Sequence, residues 1–173
     1  ARQYLQSRGI TLETAKAYHL GFCDKSWEAL VSVLSEAKAP LKLAADLGLI
    51  KKREKEEGYF DFFRGRLIFP IFDVKGDIVG FSGRILEKNE ETAKYLNSSD
   101  SILYNKSRTV YGLNWAKEAI RKQDEAILVE GNIDLVSLRQ FGIENVVAPL
   151  GTAVTLDHLQ LLKRYTNNFV VAF

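Results

Sequence analysis

The sequence predicts a mixed α/β fold, in which a helical lead-in and a β-hairpin precede a parallel sheet. Residues 1–50 alternate helical stretches with short breaks, and two apolar runs flank a glycine-containing turn between residues 67 and 86. Residues 126–173 alternate three apolar runs with two helical patterns, which is the order βαβαβ. We expect two units, a basic α/β unit in residues 1–105 and the parallel sheet in residues 106–173.

The composition excludes several classes of protein. No apolar run approaches the length needed to span a membrane. The only cysteine, Cys23, excludes an internal disulfide and a cysteine-rich zinc site within these residues. The net charge of +2 gives no indication of nucleic acid by itself, so any basic surface must arise from local clustering. The chain contains no methionine and starts at Ala1, and we expect both ends to be cuts in a longer polypeptide.

The lead-in is predicted to contain several short helices. Thr11 is a suitable N-cap, and residues 27–34 and 40–47 are amphipathic. Gly48 is expected to end the second of these helices. The mixed charge run at residues 51–57 is predicted to be a solvated turn rather than a binding site.

A β-hairpin is predicted next, with strands at residues 67–72 and 77–86. Residues 74–76 suit a three-residue turn with Gly76 in the left-handed conformation. In that register Arg66 lies opposite Arg84 on one face, where like charges repel unless an anion such as phosphate lies between them. A two-residue turn would instead direct the two arginines to opposite faces.

The segment after the hairpin mixes cations, an aromatic ring and an amide. Lys94, Tyr95 and Asn97 can bind a phosphate, stack on a base and hydrogen-bond a sugar. A polar loop with one packed tyrosine explains the same residues, and Lys106 carries the same two interpretations. We expect Asn114 to cap a following helix.

The first strand of the predicted parallel sheet ends in an acid. Residues 126–129 are uniformly apolar, as in a strand buried on both faces, and Glu130 follows with Gly131. Asp134 lies about one helical turn beyond Glu130, so both carboxylates can face one space at the sheet edge and bind Mg²⁺. The alternative is that Glu130 is an ordinary surface acid and Asp134 interacts with the helix dipole.

The second strand of this sheet ends in a similar way. Residues 145–150 are followed by Gly151 and Thr152, and a glycine there lets the backbone approach a phosphate closely. An ordinary strand-to-helix turn explains the same two residues. Thr155 is a suitable cap for the next helix.

Seven motifs occur in an order that matches a known family. The chain closely resembles the RNA polymerase core of bacterial replicative DNA primases of the DnaG type, over nearly its whole length. The motifs are Tyr4-Leu5…Arg8-Gly9, Phe63-Arg64-Gly65-Arg66-Leu67-Ile68-Phe69-Pro70-Ile71, Gly80-Phe81-Ser82-Gly83-Arg84, Lys94-Tyr95-Leu96-Asn97-Ser98, Tyr111-Gly112-Leu113, Val129-Glu130-Gly131…Asp134 and Leu150-Gly151-Thr152.

The resemblance implies a mixed α/β subdomain followed by the first half of a TOPRIM domain, a metal-binding fold. It implies synthesis of short RNA primers on a single-stranded DNA template from ribonucleoside triphosphates, with Mg²⁺ or Mn²⁺, in the bacterial cytoplasm at the nucleoid. The family's Asp-x-Asp motif is expected just beyond Phe173, and zinc-binding and helicase-binding domains are expected outside this chain. The chain alone is therefore predicted to be inactive.

The same resemblance assigns roles to individual residues. Glu130 and Asp134 are expected to be catalytic and to bind the metal, with further ligands beyond Phe173. The family usually has Tyr-Met where this chain has Asn132-Ile133, a change that can alter packing beneath the site. The residues expected to contact template or nucleotide are Arg64, Arg66, Arg84, Lys94, Tyr95, Asn97, Lys106, Gly131, Gly151 and Thr152.

Two other interpretations remain. A non-catalytic module that binds single-stranded nucleic acid would use the same basic face. Another TOPRIM enzyme, such as a phage primase-helicase, a topoisomerase or a nuclease, would share the sheet and its acids.

Overall fold

Seven helices and ten strands form the part of the chain that the computed structural model describes, namely residues 1–87, 93–151 and 153–173. The helices are α1 Arg2–Ser7, α2 Leu12–Ala17, α3 Ala29–Glu36, α4 Leu41–Asp46, α5 Leu113–Gln123, α6 Asn132–Gln140 and α7 Leu156–Leu162. The strands are β1 Gly21–Cys23, β2 Ile50–Lys52, β3 Tyr59–Asp61, β4 Arg66–Phe72, β5 Ile78–Ile85, β6 Tyr95–Asn97, β7 Val110–Tyr111, β8 Ala126–Val129, β9 Val146–Pro149 and β10 Phe169–Ala172.

The helical lead-in is confirmed. The Thr11 hydroxyl accepts a hydrogen bond from the Thr14 amide at 3.1 Å and so caps α2. The two amphipathic stretches form α3 and α4, and Gly48 follows α4 with a φ of 72°. The left-handed φ is the reason that glycine suits this helix end.

The charge run at residues 51–57 is not only a turn, because it begins in β2 and leads into β3. These strands pair antiparallel, with Ile50 opposite Asp61. Asp61 is buried, and its carboxylate accepts hydrogen bonds from the Leu30 and Val31 amides at 2.8 and 3.0 Å. Two free amides at the start of α3 are therefore satisfied by a residue about 30 positions away, which local pattern cannot indicate.

The main hairpin has the predicted turn but a different register. Asp73 donates its amide to the Asp77 carbonyl at 2.9 Å, and Gly76 has a φ of 104°. A bulge then adds one residue to β5, because Phe72 lies opposite Ile78 whereas Ile71 lies opposite Gly80.

This bulge makes the predicted arginine pair wrong. Leu67, and not Arg66, lies opposite Arg84, while Arg66 lies opposite Ile85. Since side chains alternate across a strand, the two arginines are on opposite faces of the sheet. The repulsion argument for a bound phosphate between them therefore fails.

The first sheet has the order β1-β4-β5-β6, and all of its strand pairs are antiparallel. The second has the order β10-β8-β9-β7, with β8 parallel to both β9 and β10. The predicted βαβαβ order is confirmed, and the unpredicted strand β7 pairs antiparallel with β9, so that the sheet is mixed.

The helix before β8 begins at a residue other than the predicted one. Asn114 lies inside α5, and its cap position is taken by Gly112 with a φ of 84°. A Cβ at Gly112 would also lie 2.5 Å from the Leu135 side chain. Both the left-handed backbone and this close contact therefore require glycine at the position.

The two sheets share one hydrophobic core. Leu67 and Phe69 of β4 belong to the same buried cluster as Val129 of β8 and Val136 of α6. The Gln140 side chain adds two polar contacts between the units, because it accepts from the Thr11 amide and donates to the Gly9 carbonyl. None of the helices in the described ranges has the length and apolar character required to cross a membrane.

Candidate functional site

A cleft of about 490 Å³ lies where the antiparallel sheet meets the carboxyl ends of β8 and β9. Two acids, three cations and several polar groups face it from six parts of the chain. Its lining residues are Arg8, Ser82, Arg84, Lys94, Tyr95, Asn97, Glu130, Gly131, Asn132, Ile133, Asp134, Pro149, Gly151, Ala153, Val154 and Phe173.

The two acids occupy the positions that the topology predicts. Glu130 is the first residue after β8 and is exposed, and Asp134 is exposed in the first turn of α6. Gly131 is the N-cap of α6 and turns the chain between them. Among the residues that the structure describes, no ion pair includes either carboxylate. No cation among the described residues therefore neutralises either acid by a direct ion pair.

The residues between the acids support the site from beneath. Asn132 is buried, and Ile133 is buried in the shared core. The positions where this chain departs from the family pattern therefore belong to the packing of α6 against the sheets. The two acids keep their spacing and their exposure.

Arg84 is the most constrained cation of the cleft. It is half-buried on β5, and its Nη1 donates to the Tyr95 hydroxyl at 2.6 Å. Its Nε is buried and has no hydrogen-bond partner among the described residues. Burial raises the pKa of the Tyr95 hydroxyl, while the nearby Arg84 acts in the opposite direction. The tyrosine therefore stays neutral at physiological pH and holds the arginine through its oxygen.

Two further cations face the same space. Lys94 is exposed beside the start of β6, with its Nζ 5.9 Å from the centre of the Tyr95 ring. Arg8 is exposed at the end of α1. Sequence reasoning missed Arg8 as a site residue because it is 122 positions from Glu130, and only the shared core brings the lead-in beside the second sheet.

Asn97 connects the two sheets at the floor of the cleft. Its Nδ2 donates to the Leu150 carbonyl at 3.1 Å, and its Oδ1 is buried without a hydrogen-bond partner among the described residues. Gly151 lies directly against this amide with a φ of 66°, and a Cβ there would come within 3.0 Å of the Asn97 nitrogen. Thr152, the other predicted residue of this turn, lies outside the described residues.

The Gly151→Ala variant is expected to be less stable than a matched glycine variant elsewhere. Any alanine with a left-handed backbone costs about 1–2 kcal/mol of unfolding free energy. Gly142→Ala has that cost alone, because its φ is 83° and nothing lies within 4 Å of the added Cβ. Gly151→Ala should lose about 1 kcal/mol more, because it displaces the Asn97 hydrogen bond. Equal losses in urea denaturation would contradict the close packing of this turn.

Lys106 lies beside the cleft rather than in it. It lines an adjoining groove of about 420 Å³ that shares Tyr95, Asn97 and Gly151 with the cleft. The Lys106 carbonyl is 3.1 Å from Nε2 of the buried His158, which fixes the loop to α7. Lys106 therefore lies in a groove that continues the surface of the cleft.

Two of the cations predicted to contact template or nucleotide, Arg66 and Arg64, do not line the cleft. The Arg66 guanidinium is buried and donates to the carbonyls of Gly83 and Ala93 at 3.1 Å. Desolvation lowers the pKa of Arg66, and the neighbouring charge of Arg64 lowers it further. Arg66 therefore holds backbone segments together beneath β5.

Arg64 belongs to a separate aromatic cluster. Its guanidinium carbon lies 4.0 Å from the centre of the Trp27 ring and 5.3 Å from that of Phe60, and it also donates to the Asp61 carbonyl. It does not line the cleft that contains the acids. A role for Arg64 in binding nucleic acid stays a prediction.

Within the described ranges no group of three or more histidine, cysteine, aspartate or glutamate side chains is placed to bind a metal ion. Glu130 and Asp134 are a pair of carboxylates on one cleft wall. Such a pair fits a hard divalent cation that takes its remaining oxygen ligands from water and phosphate. These donors are unsuited to structural zinc, which prefers sulfur and nitrogen.

Comparison with known proteins agrees with this geometry. Residues 1–117 match the family model described as DNA primase catalytic core, N-terminal domain, and residues 127–173 match a Toprim-like model. A DNA primase from Clostridium acetobutylicum is 42% identical over 175 residues, which cover 100% of this chain and 28% of that protein. One from Halalkalibacterium halodurans is 39% identical over 170 residues, which cover 98% of this chain and 28% of that protein.

Solved structures are similar over almost all of the chain. The zinc-binding and RNA polymerase domains of Aquifex aeolicus primase align with a TM-score of 0.90 at 40% identity, covering 99% of this chain and 41% of that one. A second similar structure is the RNA polymerase domain of Mycobacterium tuberculosis DnaG in complex with a DNA duplex that has a 6-nucleotide overhang. It aligns with a TM-score of 0.92 at 30% identity, covering 99% of this chain and 56% of that one. The chain thus spans little more than a quarter of its curated relatives and belongs to the family of the DNA primase catalytic core, N-terminal domain.

Proposed function

We propose that this chain is part of a DNA primase, a DNA-directed RNA polymerase that synthesises short RNA primers on single-stranded DNA. The observation that carries the proposal is the placement of Glu130 and Asp134 in one cleft with Arg8, Arg84 and Lys94. Nucleotidyl transfer requires acids that bind a metal and cations that bind phosphates, at one place. The relatives named DNA primase support the same activity.

The reaction is attack of a primer 3′-hydroxyl on the α-phosphate of a ribonucleoside triphosphate, with release of pyrophosphate. Arg8, Arg84 and Lys94 bind phosphate oxygens and stabilise the negative charge that develops on them. Glu130 and Asp134 would hold Mg²⁺ or Mn²⁺ together with further ligands from outside the described residues, and the metal would supply neutralisation of negative charge and a lower pKa of the attacking hydroxyl.

The polar groups of the floor orient the nucleotide. The Oδ1 of Asn97, which has no hydrogen-bond partner among the residues that the structure describes, is an acceptor for a sugar or base donor. The left-handed turn at Gly151 lets the backbone approach a phosphate. The adjoining groove with Lys106 offers a further cation to the phosphates of the template strand. A related primase catalytic domain has been solved bound to single-stranded DNA, with 36% identity and a TM-score of 0.85, covering 98% of this chain and 54% of that one.

The proposal also includes the template, the substrates, the cellular location and the other regions of the complete protein. The template is single-stranded DNA, the substrates are ribonucleoside triphosphates, and the enzyme acts in the cytoplasm at the nucleoid. The domain boundary falls near residue 105. Zinc-binding and replicative-helicase-binding regions belong to the complete protein.

Incubating the full-length protein with single-stranded DNA, labelled ribonucleotides and Mg²⁺ tests the proposal. We expect short RNA products that depend on the template, and chelation of the metal should remove them. If the protein binds single-stranded DNA tightly yet makes no RNA with either Mg²⁺ or Mn²⁺, it is a binding module rather than a polymerase.

A further inference from the structure

The ring of Tyr4 contacts two arginines of the cleft. The guanidinium carbon of Arg84 is 4.9 Å from the ring centre, and that of Arg8 is 5.5 Å away. Both arginines line the cleft, whereas Tyr4 does not. Tyr4 therefore contacts both cations without lining the cleft itself.

Tyr4 is held in place by its own surroundings. It is half-buried and packs against the shared core, and its neighbour on α1, Leu5, is buried in that core. Arg8 is one helical turn after Tyr4, so the two side chains share a face of α1. Arg84 comes from β5 of the antiparallel sheet and reaches the ring from a position 80 residues along the chain.

Contact with one aromatic ring can offset the repulsion between the two arginines. Two guanidinium groups near one another repel, and each side chain has many rotamers when exposed. The face of an aromatic ring carries negative potential and attracts a cation, most strongly where water is excluded. A single ring in contact with both Arg8 and Arg84 can attract both guanidinium groups and limit their motion. The hydrogen bond from Arg84 to Tyr95 fixes the second end of that guanidinium.

We infer that Tyr4 is a positioning residue that holds Arg8 and Arg84 in the geometry required to bind the triphosphate of the incoming nucleotide. The inference rests on the proposed function, since that function supplies the nucleotide as ligand. The ring face carries the effect and not the hydroxyl, because the Tyr4 oxygen is buried with no hydrogen-bond partner within the described ranges.

The test compares Tyr4→Leu with the conservative Tyr4→Phe in the full-length protein. Loss of the ring should raise the KM for ribonucleotide by about tenfold with kcat little changed, because ground-state and transition-state binding weaken together. Phenylalanine should restore the wild-type value. Tyr165→Leu is the matched control, because its ring lies 4.8 Å from Arg121 and outside the cleft.

A double-mutant cycle separates positioning from general destabilisation. If Tyr4 acts through the arginines, Tyr4→Leu should change nucleotide binding little when Arg84 is already methionine. The inference would be overturned if Tyr4→Leu weakened nucleotide binding by the same factor with and without Arg84→Met. Equal losses of nucleotide binding in Tyr4→Phe and Tyr4→Leu would also overturn it. Tyr4→Met serves the same comparison if the leucine variant does not fold.

Nucleotide binding should also be measured without synthesis, by titrating a fluorescent ribonucleotide. If the wild type binds the nucleotide but makes no primer, the polymerase proposal fails while the Tyr4 comparison remains valid. If the wild type makes primers and Tyr4→Leu binds and uses nucleotide as well as the wild type does, only the role of Tyr4 is wrong.

Discussion

Replacing Glu130 with glutamine is expected to abolish primer synthesis while leaving the binding of single-stranded DNA intact. Glutamine keeps the shape of the side chain and removes the charge that a divalent cation requires. Glu130 is exposed at the end of β8, so the substitution leaves no buried charge uncompensated. We expect a fall in kcat of at least about 100-fold, in line with the loss of a main electrostatic group in an active site.

The binding measurement makes this prediction specific. Removing a negative charge from a phosphate-binding cleft should leave DNA affinity unchanged or raise it, because the carboxylate repels the backbone. Glu36→Gln is the control, since Glu36 is exposed at the end of α3 and does not line the cleft. If Glu130→Gln made primers at the wild-type rate, the acid would have no part in catalysis.

Replacing Arg84 with methionine is expected to have the second largest effect. The variant loses a cation from the cleft and the hydrogen bond that the Tyr95 hydroxyl accepts. We expect kcat/KM for ribonucleotide to fall about 10-fold to 100-fold, which corresponds to one charge-assisted interaction. Arg84→Lys should recover only part of this loss, since lysine cannot reproduce the planar contact with Tyr4.

Arg121→Met is the matched control for this variant. Arg121 also stacks on a tyrosine, Tyr165, and pairs with Glu118, but it lies on α5 outside the cleft. Both variants remove one positive charge, so a general effect of net charge on DNA binding would appear in both. Similar losses in the two would show that Arg84 contributes only to the overall charge.

The acids and the second sheet were predictable from sequence because their signals are local. An uninterrupted apolar run predicts β8, and the carboxyl end of a parallel strand places Glu130 and Gly131 at the sheet edge. Asp134 follows from the helical spacing. The parallel arrangement does not predict β7, because a strand of two residues carries too short a pattern to recognise.

The basic wall was only partly predictable because it depends on register and on distant contacts. One extra residue in β5 moves Arg66 and Arg84 to opposite faces, although the turn itself was predicted correctly. Gly80 is a local indication of this bulge, because a glycine inside a strand often accompanies a bulge or a close approach. A Cβ there would meet Ser98 at 3.3 Å.

Tyr4 and Arg8 belong to one motif of the family resemblance, but no local pattern assigns either residue to a site. Tyr4 lies on a helix of six residues whose composition is ordinary, and Arg8 is the C-cap of that helix. The role of Tyr4 depends on contact with Arg84, 80 positions away, and Arg8 shares the cleft with Glu130, 122 positions away. Two hydrogen bonds from Gln140 on α6 fix the segment between α1 and α2. Contacts of this kind follow from the assembled core and are not encoded in a short window of sequence.

The central claim is that the acids after β8 and the arginines of the opposite wall act on one ligand in one cleft. A crystal structure of the protein with Mn²⁺ and a non-hydrolysable ribonucleoside triphosphate tests it most directly. We predict anomalous scattering from manganese beside Glu130 and Asp134, with the triphosphate in contact with Arg8 and Arg84. Manganese bound elsewhere, or a triphosphate bound away from both arginines, would contradict the account.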